Sequence, residues 1–222
     1  MAVDRIVHQR LQDDEGLEKL ALPLGTPTND PHISIFASPD IESKSQVVLI
    51  VGDTQATLGM ISGRVATGPG GINRGSAVSL VRAIKQHLPD ASIVIANPGE
   101  LIWWPEGGRA VTIREAEAVP RSSAVSLGKR FDERVNSVPG HETESEHLAR
   151  VFEFFTERAV QDAKVHIFGV EKGAEAVEVF LDDQDVWKRW GGKLESMVLM
   201  NTLREAELLK NEALKSFLGT VK

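Results

Sequence analysis

The sequence predicts an α/β fold, a mostly parallel sheet with helices on both faces, and three observations carry that prediction. The segments 46–51, 92–96 and 164–168 are short, almost continuously apolar runs, the mark of strands buried on both faces. Stretches with helical spacing separate them, and strands alternating with helices close into a parallel sheet wound on both sides. The third observation is the turn Phe168-Gly169-Val170-Glu171-Lys172-Gly173-Ala174, which joins an apolar run to a helical one through two glycines.

In chain order, residues 3–20 place Val3, Ile6, Val7, Leu11, Leu17 and Leu20 at loosely helical intervals among charges. They predict a helix, or two broken near Gly16, and with the linker at 22–31 they form an N-terminal arm covering 1–30. His32-Ile33-Ser34-Ile35-Phe36 alternates as a short strand, and the run at 46–51 follows as a buried one. Gly68-Pro69-Gly70-Gly71 breaks the chain before a helix over 76–88, after which the strand at 92–96 ends at Asn97-Pro98-Gly99. Residues 100–140 show little periodicity and read as a lid, a binding loop or an insertion with a strand of its own. Thr143 and Glu146 then form a T-x-x-E capping signal ahead of Leu148, Val151, Phe152, Phe155 and Ala159 on one helical face. The strand at 164–168, the glycine turn, a helix to about Leu181, an amphipathic piece carrying Trp187 and Trp190, a strand at 194–201 and a helix at 204–218 complete the chain.

A length of 222 residues with 41% hydrophobic content suits one α/β domain over 1–222. A net charge of −7 and a pI near 5.4 disfavour bulk binding to nucleic acid or to anionic membrane. Cysteine is absent, which excludes disulfides and thiol catalysis. The amino terminus lacks the apolar core of a signal peptide and Val47-Val48-Leu49-Ile50-Val51 is too short to cross a bilayer. A soluble intracellular protein is expected.

The glycine turn bears most on function. In an α/β-hydrolase, a three-layer sandwich, a G-x-S-x-G turn holds a strained serine above the sheet. Here Gly169 and Gly173 keep the frame while Glu171 occupies the serine position. A carboxylate does not take over acyl transfer from serine without suited partners, and the last histidine, His166, precedes the turn; truncation would account for a missing triad histidine, but not for a missing serine. No catalytic residue, cofactor site or metal site is assigned.

Three other constellations invite chemistry. Gly70-Gly71-Ile72-Asn73-Arg74-Gly75-Ser76 imitates a phosphate loop, but the essential lysine is missing and a plain turn with a helix entry is the favoured reading. His141 and His147 stand six apart, whereas a zinc-binding helix needs four. Trp103-Trp104-Pro105-Glu106-Gly107-Gly108-Arg109 follows the strand at 92–96, so it belongs to the sheet edge that carries Glu171, where open α/β sheets bind ligands. Trp103, Trp104, Glu106 and Arg109 are therefore the candidate partner surface, against the plainer reading in which both rings close a pocket. Arg109, Arg114, Arg121, Lys129, Arg130 and Arg134, interleaved with Glu115, Glu117, Asp132 and Glu133, read as a mixed-charge loop.

Over about 30–202 the chain resembles the argonaute-binding-protein-two (Arb-type) domain family. The resemblance is densest at Val47-Val48-Leu49-Ile50-Val51-Gly52, at Leu58-Gly59 with Arg64, at the Gly75 helix and at Ile95-Ala96-Asn97-Pro98-Gly99-Glu100. Where metazoan relatives carry histidine, serine, tyrosine and glycine, this chain has Val170, Glu171, Lys172 and Gly173. The Trp103 to Arg109 segment and Trp187-Lys188-Arg189-Trp190-Gly191-Gly192 are similar to fungal proteins of this domain type. The resemblance implies an α/β-hydrolase-like domain used for assembly, with argonaute or histone deacetylase complex subunits as partners in heterochromatin or small-RNA silencing, self-association as a further option, and a place in the nucleus or cytoplasm. An atypical hydrolase or small-ligand pocket around Glu171 is the alternative.

Overall fold

The computed structural model describes residues 2–118, 131–202 and 206–220. Among them are eight strands: β1 (Glu18–Leu22), β2 (Ile33–Ala37), β3 (Gln46–Val51), β4 (Ala91–Ala96), β5 (Ile102–Trp104), β6 (Arg109–Val111), β7 (Lys164–Val170) and β8 (Leu194–Met200). The helices are α1 (Ala2–Asp13), α2 (Gly63–Ala66), α3 (Gly71–Gly75), α4 (Ala77–His87), α5 (Ile113–Glu117), α6 (Glu133–Asn136), α7 (Glu144–Arg158), α8 (Lys172–Leu181), α9 (Gln184–Trp190) and α10 (Glu212–Thr220).

Six strands form one sheet in the order β1-β2-β4-β3-β7-β8, and β5 and β6 form a separate hairpin. β3 runs parallel to β4 and β7, and β7 to β8, while β2 is antiparallel to both of its neighbours. Buried alternation explains the continuous apolar runs. Along β3, Val47, Leu49 and Val51 enter one core with Phe152, Val177 and Trp190. Val48 and Ile50 enter the other core with Val7, Leu11, Val78 and Val81. Helices therefore cover both faces, α1 and α4 on one and α7 to α9 on the other, and the molecule is the α/β three-layer sandwich that the sequence predicts.

The helices start where their caps place them. The Ser76 hydroxyl accepts the Val78 N–H at the head of α4, and the Thr143 hydroxyl accepts the Glu146 N–H (3.2 Å) and donates to the Glu146 carboxylate (3.0 Å) at the head of α7. From that start Leu148, Val151, Phe152 and Phe155 fall on the buried face, with the Phe152 ring 4.9 Å from Trp190 and 5.1 Å from Phe180.

Two element predictions need correction. The N-terminal helix ends at Asp13, Gly16 turns the chain at φ +62°, and Glu18 to Leu22 pair with β2 as an edge strand. The open edge of β2 offers Leu17 and Leu22 burial that an isolated helix could not, so tertiary pairing overrides local spacing. At the other end, α10 starts at Glu212, with the Asn211 carboxamide accepting the N–H groups of Ala213 (3.0 Å) and Leu214 (3.2 Å). The segment 100–140 supplies the β5–β6 hairpin, α5 and α6, while Arg121, Lys129 and Arg130 lie outside the described residues.

Candidate functional site

Glu171 sits where β7 ends and α8 begins, with φ 49° and ψ −120°. A positive φ is rare for a side chain of this size and costs about 1–3 kcal/mol, so the surroundings must impose it. They do so from three sides. The Glu171 N–H donates to the Met200 carbonyl of β8 (2.8 Å), and its own carbonyl accepts the Ala174 N–H (3.0 Å). A Cβ at Gly173 would lie 2.1 Å from the Gly52 carbonyl oxygen at the end of β3, and one at Gly169 would lie 2.8 Å from Ala174 Cα. The two glycines are thus required by close approach of backbones. The elbow that displays a hydrolase serine is present here, and it displays a carboxylate to solvent.

Val51 and Gly169 form the last pair between β3 and β7, and two positions beyond each stand Asp53 and Glu171. Connections leave β3 toward β4 on one side and β7 toward β8 on the other, so these residues flank the switch point of the sheet. Asp53 Oδ1 is buried and has no hydrogen-bond partner among the described residues. Burial raises the Glu144 carboxyl, Lys172 lowers it and Glu175 raises it, which sets the head of α7 beside the head of α8.

All six histidines precede the elbow, and each described contact engages them elsewhere. His166 bonds Ser196 Oγ (2.8 Å) and Gln46 Oε1 (3.0 Å) in the first half of β7. His32 bonds the Asp30 carbonyl and His8 the Leu58 carbonyl. His141 and His147, separated by too many residues to share a helix face as metal ligands, meet through their Nδ1 atoms at 2.8 Å, because Gly140 at φ +79° turns His141 back onto α7. Both rings are fully buried and both Nε2 atoms lack a partner. Desolvation lowers His141 to about 4 and His147 to about 3, so the pair is neutral at pH 7. Among the described residues no group of three or more side chains is arranged to hold a metal ion.

The tryptophan hairpin lies at the same sheet edge as the elbow but at its far side. Trp103 packs with Ile33 of β2, Ala110 and Val138, and Asn136 Nδ2 donates to its carbonyl (2.8 Å). From β2 to β7 is three strand spacings, about 14 Å. Trp103, Trp104, Glu106 and Arg109 thus stand apart from Glu171 along that edge. Trp103 is buried; Trp104 is half-buried against Gly107, with the Arg109 guanidinium 5.8 Å from its ring, and Glu106 is exposed. Arg109 is fixed by Glu115 (2.8 Å), whose carboxylate closes the capping box with Thr112.

The Gly70 segment is a short helix rather than an open phosphate loop. A Cβ at Gly75 would lie 2.2 Å from the Ala66 nitrogen, and the Gly75 carbonyl accepts two N–H groups, from Ile61 and Ser62. Close packing of α2 on α3 accounts for the glycine.

Sequence reasoning missed Glu100. It is buried, accepts the Leu58 N–H (3.0 Å), and burial pushes its carboxyl up to about 7. Beside it Asn97 donates to the Ala56 carbonyl (2.5 Å), and Gly99 packs so closely on Thr54 that no Cβ fits. The block Asn97-Pro98-Gly99-Glu100 thus staples the loop that leaves β3. No spacing signal marks this, since the partners lie some forty positions apart.

The Arb2 domain family model matches residues 1–221, so the match takes in α1 and β1 as well as the 30–202 region. No curated protein matches the chain. Among solved structures the acylaminoacyl peptidase of Pyrococcus horikoshii is similar over 86% of this chain and 24% of its own length, at 12% identity and a TM-score of 0.41. The chain spans about a quarter of that peptidase. No described helix is long and apolar enough to cross a membrane.

Proposed function

Because the chain belongs to the Arb2 domain family, we propose that it is a non-catalytic, α/β-hydrolase-like protein-interaction domain working in heterochromatin or small-RNA gene silencing. The observation that carries this reading is Glu171 at the apex of an intact elbow. An elbow holding a carboxylate in the serine position has no hydroxyl with which to form an acyl-enzyme. The fold remains as a rigid platform.

The contact surface is placed on the insertion. Trp104 and Arg109 stack at the hairpin, and Ile113, Phe131 and Val135 expose 65%, 59% and 47% of their surface on and beside α5 and α6. Tryptophan and arginine beside displayed apolar groups have the composition of an interface hot spot. Argonaute or histone deacetylase complex subunits are the proposed partners, in the nucleus or cytoplasm, with no direct role for nucleic acid. The test is affinity purification of the tagged protein from its own cells beside Trp104→Ala and Ile113→Asp. Stoichiometric silencing subunits that are lost in both variants support the reading; the same subunits retained in both place the surface elsewhere, and none recovered removes it.

A second reading rests on Asp53, whose buried oxygen has no partner among the described residues at the sheet's switch point. Glu171 would then activate water for hydrolysis of a ligand held between the two carboxylates. Turnover of an ester or amide panel that vanishes in Glu171→Gln is its expected signature, and an inactive wild-type protein across the panel ends it.

A further inference from the structure

A cleft of about 470 Å³ lies on the β1 side of the molecule, away from the elbow, lined by Asp4, Arg5, His8, Gln9, Gln12, Asp13, Lys19 and Arg109. That volume suits a small molecule. Positions four apart on α1 share a face, and the stripe 5, 9 and 13 beside 4, 8 and 12 turns its polar groups into the cleft while Val7 and Leu11 fill the core behind it. β1 contributes Lys19 and the hairpin contributes Arg109, so three segments distant in sequence converge.

We propose that this cleft binds a small molecule bearing a carboxylate or phosphate group, held by Arg5 and Lys19 with Arg109 behind them. Among the described residues no carboxylate lies within ion-pair distance of Arg5 or Lys19. Arg109 is held by Glu115, which fixes its position. Desolvation lowers the Lys19 ammonium, Glu100 raises it and Arg109 lowers it. Asp4 is ionised, its carboxyl lying below its ordinary value although burial raises it, and so it opposes an anion that the two cations attract. Asp4 accepts the Thr57 hydroxyl (2.8 Å), and Glu100 beneath carries a carboxyl that is half protonated near neutrality. His8 spends Nε2 on the Leu58 carbonyl, and desolvation followed by Lys19 lowers its ring to about 4, so it enters as a neutral ring. The Gln9 and Gln12 amides supply neutral hydrogen bonds, and Asp13 at the rim favours a ligand that also carries donors.

The test titrates the whole chain at low salt with inorganic phosphate and, separately, with citrate. It reads backbone amide shifts along α1 and β1. Saturable shifts at Arg5, Gln9 and Lys19, weakened at least about tenfold in the Arg5→Ala/Lys19→Ala double variant and unchanged in the exposed control Arg64→Ala, are expected. A response to phosphate alone names phosphate as the recognised group, and a response to citrate alone names carboxylate. Arg5 and Lys19 are exposed, so the double variant retains its fold, which circular dichroism verifies; Lys19→Glu repeats the test by charge reversal. No saturable response to either anion at tens of millimolar, or an equal response in the double variant and in Lys19→Glu, overturns the proposal. The result is independent of partner capture, because neither mutated residue belongs to the insertion surface.

Discussion

The elbow and the α1–β1 cleft are built in opposite ways. At the elbow, backbone meets backbone: Gly169 and Gly173 sit where no Cβ fits, and the one side chain of consequence, Glu171, projects from a strained main chain. In the cleft, the main chain is ordinary helix and strand, and side chains from α1, β1 and the hairpin do all the converging. The first kind of site is local in sequence and intolerant of volume. The second is dispersed in sequence and tolerant of volume, and it answers to charge and proton concentration.

The largest effect that would break this contrast is steric. Gly173→Val places a branched side chain where even one carbon lies 2.1 Å from the Gly52 carbonyl oxygen, and it should destabilise the domain by about 3 kcal/mol or more, by analogy with overpacked cores. A urea denaturation midpoint measures it. An unchanged midpoint would mean that β3 and α8 are not clamped together.

Proton linkage separates the buried histidines from the buried Glu100 by sign. His141 and His147 at the head of α7, with His8 at the cleft, are held below their usual 6.5, at about 4, 3 and 4. As pH falls below 6.5 the unfolded chain takes up protons that the folded chain refuses. Stability therefore drops through the window from 6.5 toward 4, by about 1.4 kcal/mol per pH unit for each histidine. Glu100 behaves in reverse: its folded carboxyl at about 7 keeps a proton that the unfolded chain loses near 4.5. Its contribution is complete below 4.5 and is lost as pH rises to 7. Glu100→Gln should therefore gain ~2–3 kcal/mol relative to wild type at pH 8 and nothing at pH 4, as read from denaturation midpoints at the two pH values. An equal offset at both values would remove the assignment of the proton to Glu100.

The smallest effect sharpens the view of the elbow as stored strain. Glu171→Gly frees the backbone at φ 49° and should stabilise the fold by about 1 kcal/mol, offset in part by glycine's greater freedom in the unfolded chain. A loss of stability would mean that the glutamate side chain itself holds the turn.

How much of this was legible follows the same division. The strand at 46–51 was read with the bounds it adopts, because burial on both faces leaves an unbroken apolar run. The elbow was readable because glycines imposed by close packing have fixed spacing around the apex. Residues 17–20 read as helical because their apolar positions suit either period, and only the free edge of β2 decides between them. Trp103 and Trp104 were correctly placed at the carboxyl edge of the sheet, yet the order β2-β4-β3-β7 moves them three strands from Glu171. Adjacent positions point different ways, and the two rings part accordingly, Trp103 in the core and Trp104 under Arg109.

The sequence alone determined the alternation of strands and helices, the two apolar faces of β3 and the carboxylate at the apex of the turn, since each is written within a few consecutive residues. Tertiary structure alone decided that His141 meets His147, that Glu100 pins Leu58, and that Arg5, Lys19 and Arg109 share one cleft. Those contacts join residues brought together by chain reversal and sheet order, and a linear pattern carries no record of which distant side chains the folded backbone will set within a few ångströms of one another.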